Sequence, residues 1–315
     1  MNAAARPALA ALAGLTGWAL AVAPAMAAPA GFTIGVQGVK QIVGLAADSD
    51  GGRYWITDGT SATTSRLVAV DESGAKVASV PWGATPTSVQ ALSWADGQLF
   101  VGDIGDPKGT RSSIQVLSPT SLSSTTSSWK AWDLAYPDGK HDAAAMAVSS
   151  KGNIYVITRG SSPAIYRAPT TLSRESVNTL TKVASAPAGV TDATFLPDGA
   201  RIALRTSSAV IVVDAYTWKT VGAATTSTTG GQALTTDLAQ KGLEVGTTSS
   251  TVVGADIPTA VDPQATAVAT ASATPAVVRT TAKRSSGTLW VVLAASALAV
   301  VAGLTVGLWG RRSSR

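Results

Sequence analysis

The residues able to do chemistry are few. The 315-residue chain has one histidine, His141, and no cysteine. Thiolate nucleophiles, disulfides and thiolate zinc sites are excluded, and so are multi-His metal centres. What remains is a set of carboxylates, arginines and amides at recurring places. Asp58, Asp103, Asp106, Arg159 and Arg205 close or follow short apolar runs. Gln90, His141, Asp142, Asp192 and Gln232 stand at the start of others. Carboxylates with amide and backbone oxygens suit Ca2+ better than a softer metal, and Asp103, Asp106 and Asp142 are its candidate ligands. The interleaved arginines suit an anionic or sugar-like ligand. His141 beside Asp142 has the makings of a general base. A structural reading competes throughout, because an Asp at a strand end often caps a turn through its own side chain. No P-loop, Rossmann glycine fingerprint, G-x-S-x-G elbow or His-Glu-x-x-His is present.

These residues need elements that bring them together, and a repeat supplies them. Between residues 30 and 257 a short apolar stretch, a turn with Asp or Gly and an alternating strand recur. The turn glycines are Gly52, Gly97, Gly152, Gly199 and Gly242, at intervals of 45, 55, 47 and 43 residues. Runs such as Arg66-Leu67-Val68-Ala69-Val70 and Ala209 to Asp214 add further strands to each unit, β-branched and bounded by turn formers. No window shows a convincing helical period. A period of this length with about four strands per unit predicts an all-β fold, a β-propeller of about five four-stranded blades. Ser112 to Pro137 leaves room for a sixth, and a β-sandwich is the alternative architecture. The strand Phe32 to Val36 is expected to pair with the last blade and close the ring, removing two exposed edges. In such a ring the loops leading into the inner strands and those leaving the second strands share one face. That face would form a channel-mouth site from Asp58, Asp103, Asp106, His141, Asp142, Arg159, Asp192 and Arg205. Of six tryptophans in this region, Trp129 and Trp132 read as the surface pair and the rest as blade packing.

The flanks predict location. Residues 1–27 resemble a signal peptide: Arg6, an apolar stretch from Pro7 to Val22, and a small-x-small site at Ala25-Met26-Ala27. Residues 28–257 form the propeller ectodomain and 258–287 an Ala/Thr/Pro-rich linker. Thr288 to Gly310 is uncharged, long enough to span a bilayer as a helix, and carries Trp290 and Trp309 near its ends. Arg311, Arg312 and Arg315 make residues 311–315 a cytoplasmic tail. The net charge of +5 belongs to these flanks. Arg6, Arg279, Lys283, Arg284, Arg311, Arg312 and Arg315 take seven of the 24 basic residues, and Asp262 one of the 19 acidic ones. The propeller keeps 17 against 18, and a nucleic-acid partner has no support there.

The run Phe100-Val101-Gly102-Asp103-Ile104-Gly105-Asp106 resembles the G-D-I-G-D-N stretch of secreted actinobacterial β-propeller proteins. Tyr136 to Met146, with His141-Asp142-Ala143-Ala144-Ala145 where the family has an Asp-Ala-Glu-Ala run, is similar too. So are Thr191-Asp192-Ala193, Pro197-Asp198-Gly199 and Leu204-Arg205-Thr206. The resemblance covers roughly residues 40 to 245. It implies the propeller and a kinship with phytase-like esterases and lactonases that use Ca2+. The chain departs from the pattern where chemistry would sit. Pro107 replaces an Asn, Ala144 a Glu and Arg159 a Lys, and Gly230-Gly231-Gln232-Ala233 stands where Gly-Glu-Ala is usual. The expected function is a membrane-anchored extracytoplasmic module binding a ligand or protein partner at the cell surface. The alternative is a Ca2+-dependent phosphoesterase or lactonase-like hydrolase.

Overall fold

The computed structural model describes residues 30–59, 66–83, 85–123, 125 and 128–271. The predicted leader, membrane span and tail lie outside the described residues. Among the described residues, no helix is long and apolar enough to cross a membrane.

The chain forms five antiparallel blades. After β1 (Phe32–Thr33), blade one is β2 (Gly44–Asp48), β3 (Arg53–Thr57), β4 (Arg66–Val70) and β5 (Lys76–Pro81). Blade two is β6 (Val89–Ala95), β7 (Gln98–Asp103), β8 (Ile114–Pro119) and β9 (Trp129–Ala135). Blade three begins with β10 (Ala143–Val148), β11 (Ile154–Thr158) and β12 (Ala164–Arg167). The short β13 (Asn178–Thr179) then turns back to lie parallel against β9, and β14 (Thr181–Ser185) completes blade three. Blade four is β15 (Asp192–Phe195), β16 (Arg201–Arg205), β17 (Ala209–Asp214) and β18 (Thr220–Thr225). Blade five is β19 (Leu234–Thr236), β20 (Leu243–Gly246) and β21 (Thr251–Ala255). Its fourth strand is β1, paired Phe32 to Val252 and Thr33 to Thr251. The ring therefore closes through its first strand, as the sequence predicts. Ser112 to Pro137 holds β8 and β9, so there is no sixth blade there.

The repeat works because each unit buries both faces. Five apolar clusters fill the five gaps between neighbouring blades. Trp55 and Leu92 meet between blades one and two, Met146 and Ile114 between two and three, and Ile157 and Ile211 between three and four. Leu234 and Val212 fill the next gap, and Phe32 stacks on Tyr54 at 4.9 Å in the last. Non-polar burial is the main driving force, and here a blade alone leaves half of it exposed. The inner strands are rich in Gly, Ala, Ser and Thr, which lets five of them crowd one axis. Added at Gly44, a Cβ would press on the backbone of Leu92 and Ala91. Inner-edge amides are satisfied by the next blade. Ala47 N donates to Thr235 Oγ1 at 3.0 Å, and Val148 N to Ser93 Oγ at 3.1 Å.

Gly52, Gly97, Gly152 and Gly199 all carry positive φ in their hairpins. In the weaker fifth unit the left-handed residue is Gln240 rather than Gly242, which blurs the repeat there.

The predicted linker begins as folded chain. Asp262 caps a helix, α1 (Pro263–Ala271), by accepting from Gln264 N at 2.8 Å, with Pro263 at the first helical position. Val261 bridges Ala223 in blade four, and Ala265 is fully buried there. The Asp-Pro start signal sits in a segment whose Ala/Thr composition hid it. Trp129 and Trp132 are also packed rather than displayed. Trp129 stacks on Trp82 at 5.3 Å and donates Nε1–H to Pro81 O, and Trp132 stacks on Phe100 at 6.5 Å.

Candidate functional site

Most carboxylates of the predicted site bond within the fold. Asp103 ends β7 and is almost fully buried. Its oxygens accept from Thr87 N at 3.1 Å and Ser88 N at 2.5 Å, and from both terminal nitrogens of Arg111 at 3.1 Å. That is a bidentate fork, the strongest carboxylate pairing available to a side chain. Asp106 accepts from Thr110 N, the Thr110 hydroxyl and Arg111 N. Burial raises its pKa, but those donors and the Arg111 charge more than offset it and hold the group below the ordinary range. Asp142 accepts from Asp106 N at 2.7 Å and Arg159 Nε at 2.6 Å. Arg159 reaches Gln90 Oε1 at 3.4 Å. The structure thus joins Asp103, Asp106, Asp142 and Arg159 in one network that ties blade two to blade three.

His141 adjoins this network without using Asp142. Its Nε2 lies 3.0 Å from Asp138 Oδ1 and 3.2 Å from the Tyr166 hydroxyl, which donates to Asp138 at 2.8 Å. Tyr136 meets His141 edge-on at 5.0 Å. The expected His141–Asp142 pairing is therefore replaced by His141–Asp138, because the Asp142 oxygens are already committed to Arg159 and Asp106 N. Burial raises the Tyr166 hydroxyl pKa, and its bond to Asp138 adds to the rise.

Asp192 and Arg205 belong to a second cluster, between blades four and five. They face each other across β15 and β16, both fully buried. Asp192 accepts from Leu234 N of blade five at 2.8 Å and from Ala193 N at 2.9 Å. Arg205 donates to Gly231 O at 3.1 Å and Gly246 O at 3.0 Å. Gly231 lies so close to Gly246 O that a Cβ there would clash. Nearby Thr191 donates its hydroxyl to Gln232 O at 3.2 Å. Asp58 follows β3 of blade one and is buried.

Among the described residues, no group of three carboxylate or imidazole side chains converges as a metal ion would need. The oxygens of Asp103, Asp106 and Asp142 expected to serve Ca2+ are engaged with backbone amides and arginines. The turn-capping role describes them better than a ligand set.

At the opposite end the hairpins between first and second strands meet. A cavity of about 340 Å³ opens there. All five blades line it: Ser49 from the first, Ser93 and Trp94 from the second, Ser150 from the third, Thr194 from the fourth and Thr236 from the fifth. Ser93 and Thr235, which also line it, accept inter-blade amides and keep an O–H to donate. Asp50, Asp96 and Gln240 stand exposed at the rim.

No protein-family model and no curated protein sequence matches the chain. Solved structures are similar at low identity. A gluconolactonase from Xanthomonas campestris is 15% identical with a TM-score of 0.45, over 74% of this chain and 99% of that one. A protein of unknown function from Bacteroides caccae is 13% identical with a TM-score of 0.41, over 67% and 71% of the two chains. The Pan2 WD40 domain of Neurospora crassa is 10% identical with a TM-score of 0.35, over 71% and 67%.

The sequence did not point to the open mouth. Its lining residues are hydroxyls and small side chains, ordinary in strands. Only the recurrence of the hairpins along the chain signals that they converge.

Proposed function

We propose that this chain is a ligand-binding propeller held outside the membrane by one C-terminal span. The observation that carries the binding role is the 340 Å³ channel mouth, the one described cavity to which all five blades contribute. Its hydroxyls and amide suit a neutral, hydroxyl-rich ligand of saccharide size. The acidic network on the other face supports stability rather than hydrolysis, since its carboxylates are bonded and unavailable as free bases. The membrane location rests on the leader-like residues 1–27, the uncharged run 288–310 and the arginines that follow.

The test uses the full-length chain on an array of neutral oligosaccharides. Capture of at least one is expected. Thr236→Trp, which fills the mouth from a half-buried position, is expected to weaken capture about tenfold or more. If nothing is captured, or if Thr236→Trp captures as well as the parent chain, the channel mouth is not the binding site.

A further inference from the structure

A second cleft, of about 310 Å³, opens beside the channel mouth between blades three and four. Its wall is aromatic. Tyr155 packs against Phe195 and against Trp218, each at 5.6 Å between ring centres. Tyr216 lines the cleft with three quarters of its surface in water. Lys151 and Arg167 line it as well, and both are exposed. Arg167 stands directly opposite Tyr155 across β11 and β12.

The charges are unbalanced. Among the described residues, no acidic side chain lines the cleft. Among the described residues neither Lys151 nor Arg167 forms an ion pair, whereas nearby Arg201 is held by Asp198 at 2.6 Å. Two like charges beside one cleft repel, and an anion between them removes that repulsion.

The backbone is also unusual. Trp218 has φ of 59°, a conformation in which a bulky side chain is an outlier. The Asp214 carboxylate imposes it, accepting from Tyr216 N, Thr217 N and the Thr217 hydroxyl, while Trp218 N donates to Asp214 O. The turn thereby fixes one ring at the wall and Tyr216 at the edge. Strained residues held by over-determined turns concentrate at binding sites.

We infer that this cleft binds a sugar ring carrying a carboxylate or a phosphate. The electron-rich ring faces attract the polarised C–H groups of the sugar. The guanidinium fork and the ammonium take the acid group. The inference goes beyond the channel-mouth reading and does not need that mouth to be occupied.

Calorimetric titration of the full-length chain tests it, with tryptophan fluorescence alongside. The probes are trigalacturonate, glucose 6-phosphate and, as the neutral control, maltotriose. At least one acidic probe is expected to bind about tenfold more tightly than maltotriose, and to weaken as salt rises from about 50 to about 200 mM. Which acidic probe binds distinguishes carboxylate from phosphate. Arg167→Gln, an exposed change that leaves the core intact, is expected to weaken it about tenfold. Trp218→Gly, which takes the positive φ without strain, is expected to weaken it and abolish the fluorescence response. Thr236→Trp should leave acidic binding unchanged. Failure of both acidic probes to bind, equal binding of maltotriose to the Thr236→Trp chain, in which the channel mouth is filled, or full affinity in Arg167→Gln would overturn the inference; the first and last of these leave the channel-mouth reading untouched.

Discussion

Glu244→Gln should raise the melting temperature at pH 9 and leave it unchanged at pH 4. Glu244 lies in β20, almost fully buried, and its Oε2 has no hydrogen-bond partner among the described residues. Burial, and then the negative charges of Asp237 and Glu72, push its pKa from 4.5 up to about 8. The neighbouring Tyr54 is raised too, mainly by burial and next by the Glu244 charge, while its hydroxyl accepts from Leu238 N at 3.1 Å. The folded state therefore holds a proton that the unfolded chain releases near pH 4.5. Stability is greatest below that pH, falls as pH rises toward 8, and stays reduced above it. Ionising the carboxylate in place costs about 3–5 kcal/mol at most, at roughly 1.4 kcal/mol per pH unit. Glutamine has the same shape and no proton to lose. For a domain of this size the gain at pH 9 is on the order of 10 °C. Thermal melts of both chains at the two pH values are the check. An equal shift at both, or none at pH 9, would show that Glu244 is not held protonated.

The other large effect is a loss. Asp192→Ala removes the acceptor that blade four offers to Leu234 N of blade five, and takes away the carboxyl that stands opposite the buried Arg205. Burial drives the Asp192 carboxyl well above its usual range, and the amides of Leu234 and Ala193 and the Arg205 charge pull it back. Burial likewise lowers the Arg205 guanidinium to about 10 against the pull of Asp192. Each ion is costly there, so removing one partner leaves the other exposed to that cost. The expected destabilisation is about 3–5 kcal/mol by denaturant unfolding. Arg205→Met should be harmful alone, but the double variant should lose clearly less than the two singles combined, by about 1 kcal/mol or more. Strict additivity would mean that the two side chains hold the blades independently.

How much of this was legible beforehand depends on whether the signal was local. The five units were visible because alternating strands and turn glycines are written in contiguous residues. The closing strand followed from the need to leave no open edge. The fate of the candidate carboxylates was hidden because Asp103 is satisfied by Thr87, Ser88 and Arg111, which no spacing rule connects to it. Glu244 looked like an ordinary polar strand residue between Leu243 and Val245. Only the packing of blade five on blade one buries it. The aromatic cleft needed Tyr155 and Trp218 from different blades, and Trp218 in isolation read as core.

The seam between β1 and β21 also sets the order of events in time. Thr33 and Thr251 are 218 residues apart. Drawing together the ends of so long a chain costs roughly 5 kcal/mol of loop entropy, recovered only when the seam forms. In synthesis from the N terminus, the first strand made is the last to find its partner. Until then the protein is an open arc, with the outer edge of β21 and one face of blade one in water. Such an arc can accept the β1 of another chain in place of its own. The ring thus carries a kinetic hazard of strand exchange between crowded copies, set by chain length rather than by any weak contact in the finished fold.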